Sequence, residues 1–118
     1  IKVRESQYDG IKIFGGSVNM NDILIDSPAD DYFDTDYGHS GTITGLKLYQ
    51  SIKWLGKSFI ECGNSEGTTS TTFVNVTFNG DTDTSTYINN GTDDLLNIKQ
   101  GSSVTINDNV LTESTNTL

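Results

Sequence analysis

The chain has 118 residues, enough for one domain and too few for two comfortable cores, and 33% of them are hydrophobic. Sixteen acidic against seven basic residues leave a formal charge of −9, which repels phosphate and disfavours both nucleic-acid binding and a basic grip on an anionic membrane. No apolar run approaches the ~20 residues of a membrane span, and with one cysteine (Cys62) and one histidine (His39) any metal would sit on oxygen ligands.

In chain order, Ile1 to Glu5 alternates like a strand, with no initiator Met and no signal core before it. The chain is therefore expected to be a processed or excerpted piece of something longer. No window places apolar residues at helical spacing, and Ala occurs once. Short runs rich in Ile, Val, Phe and Thr follow instead: Ile11-Lys12-Ile13, Ile23-Leu24-Ile25, Leu46-Lys47-Leu48, Val76-Thr77-Phe78 and Leu96-Asn97-Ile98. Gly, Asn, Asp and Ser corners separate them, as at Gly15-Gly16, Gly63-Asn64 and Asn90-Gly91. The polar run 112–118 reads as a tail, and no linker composition divides 1–118 into domains.

The corners recur. Ile11, Phe33, Ile60 and Leu96 each open a unit, at spacings of 22, 27 and 36 residues, and each unit repeats strand, Gly corner, apolar residue, polar corner and strand. The polar corners are placed at Asp22, Gly45, Asn75 and Asn109, and a hydroxyl ladder at Ser17, Thr42, Thr72 and Ser103. A coil of about 22 residues with insertions at 63–70 and 80–91 explains the spacing. A β-sandwich could supply similar strands, but it would not need the same order in every unit. The pattern predicts an all-β parallel solenoid of about five coils, the first of them partial, with strands stacked at ~4.8 Å. Its inward files are Ile11, Phe33, Ile60, Leu96 and Ile13, Thr35, Cys62, Ile98, which makes Cys62 a buried apolar filler. The outward file is Lys12, Asp34, Glu61, Asn97.

Ser6-Gln7-Tyr8-Asp9-Gly10-Ile11, Phe14-Gly15-Gly16-Ser17-Val18-Asn19, the run Ala29 to Gly38, Glu61-Cys62-Gly63-Asn64 and Asn75 to Gly80 resemble bacterial secreted proteins and lipoproteins of the right-handed parallel β-helix, or pectate-lyase-like, group. The resemblance covers Ser6 to about Gly80 and departs from the group at His39. It implies a right-handed coil and an extracellular, cell-surface or virion setting, and no established reaction.

Asp30, Asp31, Asp34 and Asp36 place four carboxylates within seven residues, two on the outward strand face and two at the corner before it, a set that could seed a Ca²⁺ site. The alternative pairs Asp34 with Lys12 and leaves the other three solvated. Lyase chemistry needs a cation beside a base, and only Lys12 and Lys57 stand in for the arginine such a site wants. Asp34 with Glu61 is a conceivable glycosidase pair, but so short a stack supplies no cleft walls, so no residue is assigned a catalytic role. Among the aromatic residues Tyr32, Tyr37, Tyr49, Trp54 and Tyr87, Trp54 and Tyr37, together with Glu61, are the candidates for contact with a glycan. Open coil ends invite self-association head to tail. The expected function is a structural extracellular segment of a fibre, appendage, adhesin or phage tail, and the alternative is a carbohydrate-binding or polysaccharide-degrading module.

Overall fold

The computed structural model describes residues 1–52, 56–63, 67–80, 95–99 and 101–113. Among the described residues nine strands follow one another: β1 (Lys2–Arg4), β2 (Ile11–Phe14), β3 (Met20–Asp26), β4 (Phe33–Asp36), β5 (Thr42–Tyr49), β6 (Ile60–Cys62), β7 (Ser70–Gly80), β8 (Leu96–Ile98) and β9 (Ser103–Glu113). They alternate between two all-parallel sheets, one ordered β1-β3-β5-β7-β9 and the other β2-β4-β6-β8. The chain crosses from one sheet to the other at each corner and returns one strand further along, which is a parallel β-helix. Of the insertions expected at 63–70 and 80–91, residues 64–66 and 81–91 fall outside the described residues, as does 114–118. The first two residues of the expected tail instead belong to β9, where Thr112 lies beside Asn79 and Glu113 beside Gly80.

Register follows side-chain volume. Ile11, Phe33, Ile60 and Leu96 form one inward file, and Ile13, Thr35, Cys62 and Ile98 the next, as the alternation required. The facing sheet contributes the files Ile23, Leu46, Val76 and Ile25, Leu48, Phe78. Central members of these files are fully buried, and the Phe33 and Phe73 rings meet edge to face at 5.7 Å, joining the two sheets through the core. Burial fades where a coil has a neighbour on one side only, so Ile98 is 45% exposed although its register matches that of Cys62. Cys62 is buried, and its burial pushes the thiol above its ordinary range.

Four residues with positive φ bend the long strands β3, β5, β7 and β9: Asp22 (54°), Gly45 (68°), Asn75 (57°) and Asp108 (57°). Gly, Asn and Asp are the residues that tolerate this left-handed conformation. In the last coil the corner is Asp108, one residue before the expected Asn109. Each bend follows an inward apolar residue by two positions, and Ile106, not Val104, lies beside Phe73. The hydroxyl ladder shifts for the same reason: Thr72 stacks on Thr105, and Asn19 rather than Ser17 serves Thr42, whose N–H donates to Asn19 Oδ1 at 2.7 Å. His39 is buried, with Nε2 3.2 Å from the Val18 carbonyl oxygen and Nδ1 2.8 Å from Thr71 Oγ1. Nε2–H donates to that carbonyl, and Thr71 Oγ1 lies in turn 3.1 Å from Thr35 Oγ1.

Candidate functional site

The outward face of the β2-β4-β6-β8 sheet carries a polar groove of about 350 Å³. Two stacked files line it. At the corner before the sheet, Asp9, Asp31 and Ser58 lie one above another, each hydrogen-bonded to the next: Asp31 N–H donates to Asp9 Oδ1 (3.2 Å) and Ser58 N–H donates to Asp31 Oδ1 (2.8 Å). On the strands, Lys12, Asp34, Glu61 and Asn97 share a register. A strand pointing Ile11, Phe33 and Ile60 inward must turn the following residue out, so apolar packing places these polar groups.

Every lysine in the groove bonds to an acid on a neighbouring coil. Lys12 reaches Asp34 in a short contact and Asp36 at 3.1 Å, with Asp9 at 3.8 Å. Lys57 pairs with Asp30 at 2.8 Å. Lys99 pairs with Glu61 Oε1 at 2.8 Å, while Asn97 Nδ2 donates to Glu61 Oε2 at 2.9 Å. Carboxylates still outnumber ammonium groups, and Asp34 and Asp36 are nearly inaccessible to water. Burial accordingly pushes the Asp34 carboxyl up to about 7, with Lys12 pulling against it, and Asp31 up to about 6, with the Ser58 amide pulling against it. Burial alone would lower the Lys12 ammonium, but its bonds to Asp34 and Asp36 outweigh that and raise it.

The structure divides the four aspartates proposed for calcium. One oxygen each of Asp9, Asp30 and Asp31 lies within 4.8 Å of the others, and so does one each of Asp31, Asp34 and Glu61. Asp36 belongs to neither group and faces Lys12. An all-oxygen donor set suits a hard cation. Against this, both Glu61 oxygens already accept hydrogen bonds, Asp31 Oδ1 accepts an amide, and the Lys12 ammonium stands between Asp34 and Asp36 where a bridging ion would be. Asp34 Oδ1 and Asp36 Oδ1 are buried and have no partner among the described residues.

Of the residues proposed for glycan contact, Glu61 lines the groove and is 6% exposed. Tyr37 stands at the corner after β4, 49% exposed, its ring 5.5 Å from that of Phe14. Trp54 and Tyr87 lie outside the described residues. Tyr32 is buried against Phe59 and takes no part in an outer surface. Sequence reasoning assigned no role to Asp9, Lys99 or Phe14. Asp9 was legible in its 22-residue offset from Asp31, the same offset that relates Lys12 to Asp34. Lys99 lies two residues beyond the outward file and reaches back to Glu61, a reach that strand alternation does not reveal.

No curated protein and no solved structure matches the chain. A family model described as a pectate-lyase-like β-helix domain matches residues 1–118. Its architecture agrees with the two parallel sheets and the corner crossings between them. The chain belongs to the pectate-lyase-like β-helix domain family.

Proposed function

We propose that this domain is a structural β-helix segment of a secreted or surface-exposed protein, a stiff acidic module whose outward groove binds coil to coil. The observation that carries the reading is the use made of the groove's charges. Lys12, Lys57 and Lys99 each join two coils, and Asp9 and Asp31 each accept an amide from the next coil. Each of these carboxylates keeps at least one bond of this kind, Asp34 and Asp36 through Lys12. Membership of the β-helix family and the resemblance to secreted proteins support the extracellular setting.

Removing the lysines tests this. If the groove is structural, Lys12→Met strands two buried carboxylates and destabilises the fold by about 3 kcal/mol, and Lys99→Met lowers the melting temperature by a smaller amount. If the charges were held ready for a ligand, both variants would match or exceed the parent in thermal denaturation. The setting is tested separately by antibody labelling of intact producing cells or particles, with labelling before permeabilisation expected and labelling only afterwards contradicting it.

A further inference from the structure

Among the described residues the groove's three lysines are not held alike. The Lys57–Asp30 pair stands open to water, and Glu61 spends both its oxygens on Lys99 and Asn97. Lys12 instead sits between two carboxylates whose side chains are 1% and 2% exposed, bonding Asp34 Oδ2 and lying 3.1 Å from Asp36 Oδ2. Oδ1 of each is buried and has no partner among the described residues. Two buried carboxylates therefore share one ammonium, and charge is held where water cannot solvate it. The Phe14 ring, centred 5.3 Å from the Lys12 nitrogen, adds an apolar neighbour and no competing acceptor. Amide condensation uses three groups: an amine nitrogen, a carboxyl whose neutral form burial favours, and a second carboxylate within reach of the proton. All three meet here.

We infer that the Lys12–Asp34 ion pair is the precursor of an intramolecular isopeptide bond, which joins β2 to β4 covalently as the folded domain ages. The step balances without a co-reactant. One ammonium proton passes to Asp34 Oδ2, to which it is already hydrogen-bonded, leaving a neutral amine and a neutral acid. Nζ then attacks Cγ. Asp36 Oδ2 takes a proton from the attacking nitrogen and returns it to Asp34 Oδ2 as the Cγ–Oδ2 bond breaks. Oδ2 leaves as water, Oδ1 remains as the amide carbonyl oxygen, and Asp36 is a carboxylate again. An ammonium and a carboxylate have become an amide and one water, and the cost of burying that pair of charges is gone. The bonds from Lys12 to both carboxylates hold its ammonium form, so condensation is slow and freshly folded protein carries the ion pair. The inference rests on the reading of the groove as a coil-to-coil junction and makes one of its bonds permanent.

The test is intact-mass and tandem mass spectrometry of the folded domain, sampled over several weeks below its melting temperature, beside the same chain kept in urea. The expected result is a species one water lighter that accumulates only in the folded sample. Its digest yields a branched peptide joining Lys12 to Asp34, and trypsin no longer cuts after Lys12. Lys12→Arg keeps the charge pair but offers no primary amine, so it forms no branched peptide, and a melting curve verifies its fold. Asp36→Asn leaves the Lys12–Asp34 contact and removes the base, which slows condensation about tenfold or more. A parent that stays at full mass throughout would overturn the inference, as would an equal rate in Asp36→Asn. So would a water loss that hydroxylamine reverses or that persists in Lys12→Arg, since either marks imide formation at an aspartate. The ion-pair reading stands or falls separately, on whether Lys12→Met destabilises freshly folded protein.

Discussion

Asp34 holds its charge at a cost that pH can expose. Its carboxyl is buried, binds a proton more tightly folded than unfolded, and has one lysine shared with Asp36. Folding therefore takes up protons between the ordinary 3.8 and about 7. The stabilisation from the neutral form is complete below that window and is lost as pH rises through it. Thermal melts should show higher stability at pH 5 than at pH 8. Asp34→Asn should be more stable than the parent at pH 8, by on the order of 1–3 kcal/mol, with the gain shrinking toward pH 4. Equal pH slopes for variant and parent would count against this placement of the charge. Gly10 marks a different limit at the same scale: a Cβ there would lie 2.4 Å from Ile25 Cγ2 and 2.5 Å from the Tyr32 carbonyl oxygen. Gly10→Ala should cost about 1–3 kcal/mol in chemical denaturation through overpacking, and a neutral result would mean that the first corner lies further from β3 than described.

At the scale of elements, the long strands depend on one left-handed residue each, and the last coil shows where reading by alternation alone fails. Asn107, Asp108 and Asn109 all suit a bend, and Val110 resembles Val76, so a pattern matched on Val110 places the corner at Asn109. The ladder is set further back, by Ile106 against Phe73, and this puts Asn109 beside Val76 and leaves Val110 54% exposed. Both possible corners look alike chemically, and only the pairing decides between them. Backbone substitutions distinguish the two. Asp108→Gly should be neutral or stabilising by up to about 1 kcal/mol and Asp108→Val destabilising by at least that much, whereas Asn109→Val should be tolerated. The reverse order in urea melts would move the corner to Asn109.

At the scale of the whole molecule, the coil order, the inward files and the Lys12–Asp34 pairing were legible because a repeat of about 22 residues stacks equivalent positions. The grouping of the aspartates was not legible in the same way. Closeness in sequence put Asp36 with Asp30, Asp31 and Asp34, while stacking brings in Asp9 from the coil before and Glu61 from the coil after. In a solenoid the neighbour one coil away is nearer than the neighbour two residues along the strand, which lies about 7 Å off. Function was less legible still, because a polar groove made for holding coils and one made for holding sugars draw on the same residue types.

Through Lys12, Lys57 and Lys99 the groove charges join one coil to the next. A double-mutant cycle on Lys12 and Asp34, with Lys12→Met, Asp34→Asn and the pair measured by denaturant unfolding at pH 8, tests it most directly. The structure predicts a favourable coupling of about 1–3 kcal/mol that falls on acidification to pH 5 as Asp34 gains its proton. Additive effects at pH 8 would contradict it, and would mean that the two side chains lie together without holding the coils in place.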